Sequence, residues 1–180
     1  MPVLMEDGVD SGLVWHYGNP VTEARALAAG EGIVGLGNRD VFELTGVDRL
    51  NLLHALSTQH VEALPADEAT CALLLGPTGH IEHVLYGVDD GESFLGWTEP
   101  GRGDALVSFL DSMRFSLRVE VVRRADVSLA WAGHRVEIPE GWRRRDSELG
   151  GSEVFIPEGE GLEGNVGTWA FESMRIAAGV

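Results

Sequence analysis

FELTGVDRLNLLHALSTQHV, Phe42–Val61, and TCALLLGPTGHIEHVLYGV, Thr70–Val88, are the two stretches whose reading decides the fold. In the first, an apolar run ends in Thr45-Gly46 and turns at once into a helix whose Leu50, Leu52, Leu53 and Leu56 fall on one stripe. Asp48 stands where it can cap that helix. In the second, Ala72–Leu75 and Ile81–Val88 flank Gly76-Pro77-Thr78-Gly79, the pattern of two strands joined by a turn.

Upstream, residues 1–20 carry turn signals and read as a lead-in segment, with Leu13, Val14 and Trp15 suited to an edge strand. Val21–Ala29 reads as a helix stopped by Gly30 and Gly32. Ile33–Leu36 and Val41–Leu44 read as short strands joined by a hairpin turn at Gly37-Asn38. Downstream, Glu92–Trp97 reads as a strand, and Leu106, Phe109, Leu110 and Met113 recur at i, i+3, i+4 and i+7 of a helix. Leu117–Val122 and Val127–Trp131 alternate as half-buried strands. Glu137–Gly151, with Pro139 and three consecutive arginines, reads as an irregular connection before a brief strand at Val154–Ile156 and a terminal helix. Hairpin then helix, twice over, is the order of an α+β protein rather than of a doubly wound parallel sheet.

Composition removes whole classes of chemistry. A net charge of −16, from 29 acids and 13 bases, repels phosphate backbones and anionic membranes, so direct nucleic-acid or membrane partners are not expected. All 13 bases are arginine, which excludes Schiff-base, phosphate-loop and general-base lysines. The single Cys71 rules out an internal disulfide or a multi-thiolate centre, and its apolar surroundings read as a buried strand position. No basic-then-apolar leader or bilayer-length apolar run is visible, so the expected location is the cytoplasm.

Two motifs invite chemistry that their context denies. Gly30-Glu31-Gly32-Ile33-Val34-Gly35 matches a dinucleotide fingerprint, yet a helix precedes it and a strand follows, the reverse of what a pyrophosphate needs. His80-Ile81-Glu82-His83 offers three ligating side chains, but strand alternation lets at most two of them converge, so no metal is expected within this chain. Trp142-Arg143-Arg144-Arg145 is the one dense basic cluster, and reads as a solvated turn making local ion pairs ahead of a contact to RNA or to a ligand's acidic tail.

The strand–Thr-Gly–helix segment, the Gly76–Gly79 hairpin and the closing WAFESMRIAAGV, Trp169–Val180, together resemble the N-terminal half of the folate-binding family that joins the glycine-cleavage T protein, an aminomethyltransferase, to the YgfZ-type iron–sulfur accessory proteins. The resemblance runs from about Val21 onward. It implies a folate-binding domain over residues 21–180, made of two related β-hairpin/helix units side by side, and a second half that follows in such proteins. It also implies an apolar, association-prone surface where that half would pack.

In the T protein a catalytic carboxylate occupies the place matched here by His83. A histidine can carry a proton but cannot supply a fixed negative charge beside a developing cation, so the resemblance points to the YgfZ branch. The acidic Gly-Glu motif of the T protein is likewise displaced, in Ser147–Glu153. Trp169 and Phe171 both match the place of a ligand-stacking aromatic, and Arg175 supplies a cation for a glutamate tail. Arg39 matches a second contact position, where it would stack or hold a carboxylate. A core stripe and a helix C-terminal cation account for the aromatics and for Arg175 equally well.

The implied function is binding of tetrahydrofolate or a derivative, in support of iron–sulfur cluster assembly or repair and through it of tRNA modification, with iron–sulfur proteins as partners. A folate-dependent one-carbon transferase with His83 as proton carrier, and a ligand-free interaction module, are the alternatives.

Overall fold

Residues 1–76 and 78–179 are described by a computed structural model; Pro77 of the Gly76–Gly79 turn and Val180 of the closing element lie outside the described residues. The first half contains β1 (Val3–Leu4), β2 (Val14–His16), α1 (Pro20–Ala29), β3 (Ile33–Gly35), β4 (Asp40–Thr45), α2 (Arg49–Leu56), β5 (Ala69–Leu75) and β6 (Ile81–Asp89). The second contains β7 (Ser93–Thr98), α3 (Gly103–Met113), β8 (Glu120–Arg123), β9 (Val127–Ala132), β10 (Arg144–Asp146), β11 (Ser152–Pro157) and α4 (Thr168–Ala178). The chain is α+β, with every described strand pair antiparallel. No described helix is long and apolar enough to cross a membrane.

Two compact units divide the chain, one made of residues 1–38 and 126–180, the other of residues 39–125. In the second, a five-stranded sheet in the order β5-β6-β7-β4-β8 is covered on one face by the apolar stripes of α2 and α3. Phe42, Leu44, Ala72, Leu74, Leu85 and Phe94 from the strands meet Leu52, Leu53, Leu106 and Leu110 from the helices in one core. Each fully buried Leu or Phe contributes roughly 1.5–3 kcal/mol of transfer free energy. Gly46 makes the strand-to-helix turn possible: its φ is +102°, and a Cβ there would collide with the carbonyl of Arg118.

Asp48 departs from the expected cap. Its carboxylate accepts from the backbone N–H of Arg118 at 2.9 Å and from that residue's Nε at 2.9 Å, and makes no bond to the helix it precedes. Those bonds hold its carboxyl below the usual range. The start of α3 is capped at a distance: Asp40 accepts from the N–H of Gly103 at 2.7 Å and from Arg123 at 2.7 Å. Arg49 grips Asp89 with two bonds of 2.7 Å in the interior, a bidentate pair that fastens α2 to the end of β6.

The first unit holds a four-stranded sheet, β10-β11-β9-β3, and the small β1-β2 pair. The expected hairpin at Gly37-Asn38 does not form, because β3 pairs with β9 whereas β4 pairs with β7 and β8. Each strand finds a longer partner elsewhere, and the side chain of Asn38 is held by Asp10 and the carbonyl of Val9. The connection read as irregular contains β10: Arg145 is buried and ion-paired with Glu153 at 3.0 Å, a pairing that spacing alone hides. The alternating run expected from Leu117 becomes a strand only at Glu120.

α1 begins at Asn19, whose side chain accepts from Thr22 N–H, and ends at Gly30 in the left-handed conformation, as its sequence signals require. Glu23, 4% exposed, accepts from the N–H groups of Tyr17 at 2.8 Å, Asn19 at 3.3 Å and Gly167 at 2.9 Å. Replacing it by Ala strands these donors, and Glu23→Ala is expected to lower unfolding stability by about 2–5 kcal/mol. Chemical denaturation compared with Glu23→Gln, which keeps one acceptor, checks this.

Candidate functional site

β6 carries His83 because the antiparallel register places it opposite Leu74, on the face covered by α3. Between Leu74 and Leu75 the register advances by two residues on β6, from His83 to Ile81, so Glu82 is the extra residue of a bulge. His80 lies outside the strand and its Nδ1 sits 2.9 Å from the hydroxyl of Thr78. Among the described residues no group of three or more His, Cys, Asp or Glu side chains is placed to hold a metal.

The His83 ring packs beside Phe109 of α3, centroids 5.4 Å apart, and its Nδ1 is buried without a hydrogen-bond partner. Burial pushes the imidazole below its usual pKa; Glu82 pulls it up and Arg102 pushes it down. The group at this position is therefore a neutral, half-buried ring at pH 7.

The other face of the same sheet bears an array that sequence reading caught only at one end. Tyr86 and Trp97 stand directly opposite each other on β6 and β7, and their rings stack at 4.2 Å with 14° between planes. The guanidinium of Arg39 lies 5.7 Å over the Trp97 ring, with Nη1 3.3 Å from Glu99. Both of these partners belong to the chain itself. Tyr86 and Trp97 were readable in principle, since both fall out of phase with the core positions of their alternating strands. Cys71 is opposite Tyr86 on β5 and is half-buried.

Trp169, Phe171 and Arg175 share α4 in the first unit, whereas Arg39 and His83 belong to the second. Trp169 and Phe171 are two residues apart, about 200° around a helix, so they cannot face the same way. Phe171 is 5% exposed and lies against Trp131, centroids 5.6 Å apart. Trp169 is 49% exposed and lies 5.7 Å from the Trp15 ring. Arg175 rests on Glu172 of its own helix, at 3.1 Å, with 41% of its side chain exposed. An exposed (i, i+3) pair of this kind holds little energy and releases its cation readily to another carboxylate. Glu153, from the stretch compared with an acidic Gly-Glu motif, is committed to Arg145.

No family model and no curated protein matches the chain. Among solved structures it is similar to the glycine cleavage system aminomethyltransferase T from Bartonella henselae, with a TM-score of 0.75 and 15% identity. The match covers 97% of this chain and 58% of that one, so the chain spans well under two thirds of the neighbour's length. This likeness shows the fold.

The buried His83 makes stability depend on pH with a definite sign. Its folded pKa lies below the unfolded one, so the unfolded chain binds more protons, and its contribution is present above the unfolded value of about 6.5 and is lost as pH falls from there through the lower folded value. Melting temperature is expected to rise between pH 5 and pH 7, with a shallower slope in His83→Phe than in the parent chain. Equal slopes in the two proteins would refute this assignment.

Proposed function

We propose that the chain is a reduced-folate-binding protein of the YgfZ kind rather than an aminomethyltransferase. The carrying observation is His83. At the position the resemblance assigns to the transferase carboxylate stands a ring that faces α3, touches Phe109 and is neutral at pH 7. It offers no fixed charge to a developing iminium-type cation, so turnover loses its main electrostatic support.

Binding needs less. A pterin requires a flat aromatic or cationic surface and the tail a cation, and within the second unit Arg39 lies over Trp97, which stacks on Tyr86. The fold likeness to an aminomethyltransferase supports the same reading. In this reading the physiological role is support of iron–sulfur cluster assembly or repair. The effect on tRNA modification is then indirect, in keeping with the net charge of −16, which disfavours direct contact with RNA.

Folinic acid is expected to raise the melting temperature saturably, by roughly 5–10 °C at a hundredfold excess over Kd. Arg39→Ala is expected to weaken binding by about tenfold or more. No shift at millimolar folinic acid, with unfolding still cooperative, would leave the ligand-free interaction module as the better reading. Folate-dependent release or capture of a one-carbon unit that disappears in His83→Ala would restore the transferase.

A further inference from the structure

The arginine run left unexplained by folate binding leads to a separate site. Strand alternation in β10 sends Arg145 to the α4 side of its sheet, into the buried pair with Glu153. Its neighbours Arg144 and Asp146 stand opposite Val154 and Ser152 and so share the other face with Ala130 and Ala132. That face carries a cleft of about 420 Å³. Val136 and Ile138, packed on the small apolar core beneath, form its floor, and His134, Arg144, Asp146 and Ser152 line it.

The charges in this cleft are largely unpaired among the described residues. At least nine of the 13 arginines make an ion pair with a carboxylate. Arg144 makes none among the described residues, although Asp146 is two positions away on the same strand face. Asp146 itself has only a long contact, 3.5 Å, with the hydroxyl of Ser152. His134 also has no polar partner among the described residues; its ring is seated over Gly30, where any Cβ would displace it. Two cationic or N–H donor groups and one carboxylate therefore remain separate around an apolar floor.

We propose that this cleft binds a small zwitterionic amino acid with an apolar side chain. Its carboxylate pairs with Arg144 and accepts from His134, its ammonium group meets Asp146 and Ser152, and its side chain lies on Val136 and Ile138. A dianion such as phosphate is disfavoured by Asp146, and a simple amine by Arg144. The volume suits a ligand of this size.

The test is a ¹H–¹⁵N NMR titration of the full chain with L-leucine, with 4-methylpentanoate lacking the amine and isoamylamine lacking the carboxylate. Leucine is expected to shift amides saturably within residues 130–154, 4-methylpentanoate to bind about tenfold more weakly, and isoamylamine to leave them unmoved. Arg144→Ala should abolish the leucine shifts, and Asp146→Asn should reduce leucine to the affinity of 4-methylpentanoate. Both residues are exposed, so an unchanged melting temperature certifies each variant as folded. The proposal is overturned if leucine produces no saturable shift there, if the shifts survive Arg144→Ala, or if isoamylamine binds as well as leucine.

Discussion

The carboxylate of Glu23 is one acceptor group on which backbone donors converge, the farthest of them 144 residues along the chain. Its two oxygens close the approach to α1 through Tyr17 and Asn19 and fix the residue before α4 through Gly167. Backbone groups buried at a helix entrance must find partners, and here a side chain supplies them where no ladder can. The position of α4, and with it the outward Trp169 and inward Phe171, follows from that clamp. Gly167 has no room for a side chain, since a Cβ there would strike the backbone of Trp15.

The second unit is governed by a different constraint, the thickness of its sheet. Gly87 and Gly96 stand directly opposite each other on β6 and β7, and side chains at those positions would collide with the rings of Phe94 and Phe42. The glycine pair opens a hollow that two phenylalanines fill, with ring centroids 6.3 Å apart. The same two strands present Tyr86 and Trp97 on their other face. One pair of strands thus builds a close-packed interior on one side and an aromatic platform on the other.

The α+β class and all four helices were legible because apolar stripes with glycine stops report local structure, and α1 and α3 lie within one or a few residues of their expected limits. Pairing was less legible. Gly37-Asn38 carries hairpin chemistry, but the strands on either side belong to different sheets, and no local signal encodes which distant strand wins. β10 was hidden because three arginines look solvated until Glu153 is known to lie across from Arg145. Asp48 looked like a cap because the competing donor, Arg118, lies 70 residues away. At the candidate site, residue types could be named but not their directions. A half-turn of α4 separates the exposed Trp169 from the core residue Phe171, and the partners of Arg39 lie in and just after a strand some sixty residues on.

Trp97 is the single tryptophan between residues 39 and 125, and it is the one stacked on Tyr86 beneath Arg39. At 4.2 Å the two rings are close enough for excitation of the phenol to pass to the indole, and both are held in one fixed mutual orientation. The guanidinium above the indole tunes its emission by the electric field it imposes. The second unit therefore has an optical signature of its own, separable from that of Trp15, Trp131, Trp142 and Trp169 by changing a single residue.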